Sequence, residues 1–204
     1  MGADAAVLAG SRILLTVPVA FPDPPLAAAG LVLRRPDADD VAWITAACSD
    51  RELSRFIPGI PYPYSQSDAR AFIEHAGQGW AEGTGAAFVI ADTATGGGWG
   101  TIGLHLYPAD PELAEVGYWL CREARGQGAA TTAVRLVSGW AFAELGIRRL
   151  NLITVPENAA SQRVAERAGF TREGLLRAWL PTSAGRRDSV MYSLLPDDPP
   201  AGPL

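Results

Sequence analysis

Cysteine is scarce in this chain: its 204 residues include only Cys48 and Cys121. The two lie far apart, outside any CxxC or Cys/His spacing, which argues against a zinc site or a disulfide framework and predicts free thiols in a reducing cytoplasm. Positive charge is also in deficit. Seventeen Lys and Arg face 22 Asp and Glu, for a net charge of −5 and a pI of about 5.0. A general electrostatic grip on nucleic acid or an anionic membrane is therefore not expected, whereas a cationic amine partner is compatible with the sign. The apolar run Ile13–Phe21 is interrupted by Pro18 and is too short to span a bilayer. With Ala27-Ala28-Ala29 behind it the run imitates a signal peptide, but Asp4 and a lone basic Arg12 ahead of it speak against secretion.

The composition, 48% hydrophobic with six tryptophans, is enough to bury one sizeable core. We read residues 1–30 as an Ala/Pro-rich extension carrying one added strand, set on the domain edge or against a partner subunit, which leaves a homodimer open. Residues 31–195 form a single domain and 196–204 a disordered tail. Within the domain, Leu31–Arg35 is a strand, and a helix starts near Pro36-Asp37 with Val41, Ile44 and Ala47 or Cys48 inward. Ser54–Tyr64, with three prolines, is a loop. A helix from Ser67-Asp68 to about Trp80 follows, closed by Gly83-Thr84-Gly85. Ala86–Ala91 and Gly100–Tyr107 form a hairpin around a triple-glycine turn. Arg148–Val155 is a central strand buried on both faces, and Phe170–Trp179 and Arg187–Leu195 close the domain as a strand pair joined by a Pro181–Arg186 loop.

Between these elements Glu115–Leu120 is a strand, Gly126 and Gly128 make a turn, and Val134, Val137, Trp140, Ala141 and Leu145 mark one face of a helix ending at Gly146. A helix that begins at glycines presents free amides and its positive dipole end, an anion site suited to a diphosphate. A Walker loop is excluded, since Ala129-Ala130-Thr131 stands where Gly-Lys-Ser/Thr would. A dinucleotide fingerprint fails too, with Thr131 at its third glycine and no acidic residue near Asn151.

Arg125-Gly126-Gln127-Gly128-Ala129-Ala130 resembles the Arg/Gln-x-x-Gly-x-Gly/Ala signature of the GNAT acyltransferases. Asn158-Ala159-Ala160-Ser161-Gln162-Arg163-Val164-Ala165-Glu166-Arg167-Ala168-Gly169-Phe170 is similar to the second block of the branch that acetylates ribosomal-protein N-termini (RimJ/RimL-like). The resemblance covers roughly residues 31–195. It implies an α/β (α+β) fold, a mixed, mostly antiparallel splayed sheet of about seven strands flanked by about four helices. It also implies acetyl-CoA as cosubstrate and an amine-bearing acceptor, either a protein or peptide N-terminus or a small amine such as an amino-sugar antibiotic. A CoA-binding module without turnover, or a different acyl group, remains an alternative at this stage.

On that resemblance the pyrophosphate cradle is Arg125, Gly126, Gln127, Gly128, Ala129, Ala130 and Thr131. The backbone of Trp119, Leu120, Cys121 and Arg122 would pair with pantetheine, with an amide near Leu120 or Cys121 meeting the oxyanion. Asn158, Ser161, Arg122, Arg125 and Arg167 would contact CoA. Deprotonating an α-amine of pKa near 8 costs about 1 kcal/mol at pH 7, against about 4–5 kcal/mol for a lysine, so a modest base suffices for the former. Glu115 is the first candidate for that base and Glu173 the second. His105 is read as a partly buried strand histidine with a local hydrogen bond, or else as an acceptor-site base. Ala165 occupies the position where many members carry an acidic tyrosine, leaving Ser161 or water to protonate the leaving thiolate. Phe56, Tyr64, Tyr118, Trp179 and Asp188 are the candidate acceptor contacts, and no residue is assigned to a metal.

Overall fold

The computed structural model describes residues 17–57, 59–182, 185–199 and 202. The Ile13–Thr16 part of the apolar run, Pro58, the tip of the last hairpin and four residues of the C-terminal tail lie outside that set. Among the described residues eight strands make one sheet: β1 (Ala27–Ala28), β2 (Leu31–Arg34), β3 (Gly85–Asp92), β4 (Gly98–Tyr107), β5 (Asp110–Leu120), β6 (Arg149–Thr154), β7 (Thr171–Thr182) and β8 (Gly185–Leu194). Their spatial order is β1-β2-β3-β4-β5-β6-β8-β7. Every neighbouring pair is antiparallel except β5 and β6. The α-helices are α1 (Val41–Cys48), α2 (Arg51–Phe56), α3 (Gln66–Glu82), α4 (Ala129–Glu144) and α5 (Ala159–Arg167).

The elements beyond the expected seven strands and four helices are β1 and α2. The loop reading of Ser54–Tyr64 is corrected over Ser54–Phe56. Asp50 accepts the Glu52 amide as an N-cap, Leu53 is buried, and the helix ends at Phe56, before the prolines can interfere. The 148–155 segment is a central strand, β6 lying between β5 and β8, but its expected burial on both faces is corrected. In β6 only Leu150, Leu152 and Thr154 are buried, while Arg149, Asn151 and Ile153 are partly exposed, because the sheet is not covered equally on both faces there. Helix α3 begins at Gln66, two residues before Asp68, since Ser65 and Asp68 form a reciprocal capping box; Gly83 at φ 69° ends it.

The core reaches upstream of Leu31. Phe21 packs against Trp80 and Phe88 with ring centroids 5.5 and 5.6 Å apart, and Trp140 of α4 completes this aromatic cluster. The Val19 amide donates to the Trp80 carbonyl at 2.9 Å, which holds the segment in place. In the tail, the Leu195 amide donates to the Asp198 carboxylate and the Gly202 carbonyl accepts from Arg135. Among the described residues no helix is long and apolar enough to cross a membrane.

One feature of the sheet positions the site. Strands β5 and β6 pair only at Leu113–Arg149, Ala114–Leu150 and Glu115–Asn151, and then separate. Beyond Glu115 the edge of β5 facing β6 has no strand partner, and a wedge-shaped gap opens in the middle of the sheet.

Candidate active site

The antiparallel ladder decides which backbone groups of β5 face the gap. The Cys121 amide donates to the Trp99 carbonyl at 2.8 Å, and Thr101 lies opposite Trp119, so the odd-numbered residues spend their polar groups on β4. The even-numbered residues, Tyr118 and Leu120, turn theirs toward the gap. Of the stretch Trp119–Arg122 expected to receive pantetheine, Trp119 and Cys121 are thus committed elsewhere, and Arg122 opens a 3-10 turn. The Cys121 amide is also removed as an oxyanion donor, which leaves Leu120. Both cysteines are free thiols; burial pushes the Cys121 thiol up, and Cys48 is fully inside.

After the 3-10 turn, Gly126 and Gly128 adopt φ of 78° and 82°, a region that favours glycine, and a Cβ at either would meet nothing within 4 Å. Gly128 is the N-cap of α4, whose first-turn amides have no intrahelical acceptor; the first amide taken is that of Thr132, by the Gly128 carbonyl at 3.0 Å. The side chains of Ala129, Ala130 and Thr131 are buried, so the turn presents backbone rather than side chains to solvent. This is an open cradle lined by N–H groups beside the gap, and it fits a diphosphate.

The neighbouring cations are differently placed. Arg125 is not free to meet a phosphate: its guanidinium pairs with Asp50 at 3.0 Å and Glu52 at 2.7 Å, and its Nε donates to the Leu120 carbonyl at 3.1 Å. Gln127 donates to the Glu123 carbonyl. Arg122 and Arg167 are exposed, the first on the turn and the second at the end of α5.

Across the gap, Asn158 caps α5 by accepting the Ser161 amide at 3.1 Å. The Ser161 hydroxyl therefore has no capping duty, and it pairs with the Tyr118 hydroxyl at 2.9 Å. Burial pushes the Tyr118 phenol up to about 12, so it stays protonated. Tyr118, expected as an acceptor contact, thus lies on the helix-covered side with α4 and α5. Alternation along β5 was the available signal, since Tyr118 shares a face with Val116 and Leu120 and not with Glu115. Ala165 is fully buried, and the phenol next to Ser161 is supplied by β5.

On the opposite face of β5, burial pushes the Glu115 carboxyl up, partly opposed by Tyr107, whose hydroxyl donates to it at 3.3 Å, and by the charge of His105. His105 itself is exposed, edge-on to the Tyr107 ring at 4.6 Å, which corrects its reading as partly buried. Tyr107 had no sequence signal apart from its place across the hairpin. Glu173 is a poor base: hydrogen bonds from Arg149 and Ser193 hold its carboxyl below the usual range.

The same face carries a cavity of about 530 Å³ between α1, α3 and Trp119. Tyr64 lines it, whereas Phe56, Trp179 and Asp188 do not. Phe56 lies under the Arg55 guanidinium, Trp179 is half exposed on β7, and Asp188 accepts the Ala178 amide. Arg187 of β8 nevertheless donates to the Arg55 carbonyl at 3.0 Å, which closes the final hairpin against α2.

This arrangement, an amide cradle at a helix start beside a splayed pair of strands, accompanies a match of residues 30–171 to the acetyltransferase (GNAT) domain. The chain belongs to the GNAT acetyltransferase family. It is similar to YdaF of Bacillus subtilis (strain 168), a protein named for ribosomal N-acetylation, with 38% identity over 96 residues, 47% of this chain and 52% of YdaF. That alignment spans about half of the relative's length. It is also similar to p20 of Bacillus licheniformis, an N-acetyltransferase of uncharacterized role, with 30% identity across 81% of this chain and 92% of p20. The structure of Mycobacterium smegmatis RimJ in complex with CoA-disulfide superposes with a TM-score of 0.73 over 82% of each chain; at 21% identity it speaks for the fold alone.

Proposed function

We propose that this GNAT enzyme transfers the acetyl group of acetyl-CoA to a primary amine, the α-amine of a protein or peptide N-terminus. The observation that carries the reading is the arrangement about one gap: the amide cradle of Gly126–Thr131 and the Tyr118–Ser161 pair on the helix side, and a half-buried carboxylate, Glu115, on the other. YdaF, similar in sequence and named for ribosomal N-acetylation, supports the ribosomal or peptide class of acceptor.

Acetyl-CoA, when bound, supplies an acyl carbon activated as a thioester. The amides of Gly128, Ala129 and Ala130 hold its diphosphate, and the Tyr118 backbone N–H and C=O receive a pantetheine amide along the open edge. Glu115 takes the proton from the attacking amine, directly or through a water, a task suited to a carboxyl made more basic by burial. The Leu120 N–H meets the negative charge that develops on the acyl oxygen. Ser161 Oγ, backed by Tyr118 Oη, gives its proton to the departing sulfur.

Calorimetry with acetyl-CoA, followed by thiol release in the presence of N-terminal peptides and small amines, tests this. Tight binding with peptide-dependent thiol release is expected. Binding with no amine-dependent release over a broad pool would instead make the chain a CoA-binding module, and release with amino sugars alone would change the acceptor class.

A further inference from the structure

Gly117 has no evident reason, within the chain itself, to be glycine. It lies in mid-strand between Val116 and Tyr118, its φ is outside the left-handed region, and a Cβ there would meet nothing within 4 Å. Neither backbone conformation nor packing demands it, in contrast to Gly100 on β4, where a Cβ would collide with the Trp119 carbonyl at 2.1 Å. What the residue leaves is empty space on the face of β5 that carries Glu115 and Trp119.

Residues two apart along a strand lie about 7 Å from each other on the same face, so Glu115, Gly117 and Trp119 form a row with a notch at its middle. At the Trp119 end the notch leads toward the cavity of about 530 Å³, within the ~300–1,000 Å³ range of small-ligand pockets. Ile44, Cys48, Ile60, Tyr64, Phe72 and Trp119 give it an apolar and aromatic lining, with Asp68 its one carboxylate, His75 its one imidazole and no arginine among them. An anionic group would find no fixed cation there, and a hydrocarbon or aromatic group would find a desolvated wall.

We propose that the acceptor's amine sits in the notch over Gly117, one step from Glu115, and that its own first side chain, apolar or aromatic, fills the cavity against Trp119. This rests on the acetyl-transfer reading and narrows its acceptor to N-termini beginning with a bulky apolar residue. Gly117 and the cavity then set specificity, while the cradle on the other face handles the cosubstrate.

The experiment titrates tetrapeptides that differ only in their first residue (Leu, Phe, Ala, Ser, Glu) into the CoA-saturated protein by calorimetry, with thiol release from acetyl-CoA measured in parallel. Leu and Phe peptides are expected to bind at least tenfold tighter than Ala, Ser or Glu peptides. Gly117→Val, a β-branched residue in an unstrained strand position, should keep its Tm and CoA affinity yet lose at least tenfold in affinity for Leu and Phe peptides. Ile60→Asp, in the loop at the cavity wall, should erase the preference. A flat ranking, no peptide binding, or a Gly117→Val protein that binds Leu peptides normally overturns the proposal. Thiol release with a flat ranking leaves acetyl transfer standing and removes the cavity's role. Apolar peptides that bind without thiol release keep the cavity and reject the transfer.

Discussion

Burial raises the Glu115 carboxyl pKa in the folded chain above its unfolded value. The sign follows: its contribution to stability is complete below the unfolded pKa and is lost as pH rises through the folded one, so at neutral pH the ionised carboxylate is a cost to the fold. Glu115→Gln should therefore raise Tm at pH 7 while lowering kcat by about 100-fold, within the ~10²–10⁴ attributed to positioned general bases. A pH profile from acid to neutral checks it, because the acid limb of kcat/KM should vanish with the carboxyl. The Tyr118–Ser161 pair makes a second test. Tyr118→Phe should lower kcat roughly tenfold at unchanged CoA affinity, and adding Ser161→Ala should cost less than the two losses combined, as groups in contact are coupled.

Helix α1 is fixed at its start by Asp40, only 1% exposed, which accepts from Arg34 at 2.8 and 2.7 Å, from the Asp37 amide and from the Trp43 indole. Burial pushes this carboxyl up, but Arg34, Trp43 and the Asp37 amide outweigh it and hold the group below the ordinary range. A depressed pKa gives stability that is present above the unfolded value, near 4, and is lost as pH falls below it. Asp40→Ala should cost about 2–3 kcal/mol at pH 7, by denaturant unfolding, and the difference from wild type should shrink toward acid pH. Elements with local signals were legible in sequence. The strand before Gly126, the helix after Gly128 and the Asn158 cap are written in neighbouring residues, and so is the cradle. Helix α2 was hidden because its signal is one aspartate before six residues, with prolines close behind. The two residues of β1 are strand only through pairing with β2. That Tyr118 meets Ser161, and where Arg125 spends its charge, depend on partners 43 and 75 residues away, which no local pattern carries.

Over the whole molecule, all 17 basic residues are arginine and none is lysine. Guanidinium groups stay protonated at physiological pH, so the folded enzyme offers no side-chain amine to compete with its acceptor. Intact-mass analysis after long incubation with acetyl-CoA should then show at most one added acetyl group, on the chain's own α-amine; acetylation at an internal site would contradict this. The Arg125 fork, finally, fastens the turn that precedes α4 to the capping residues of α2. The proposed berth for one reactant and doorway for the other are therefore rigged to a common strut, through which loading the first is expected to alter the welcome given to the second. Such gearing favours a compulsory sequence of arrival, donor ahead of acceptor.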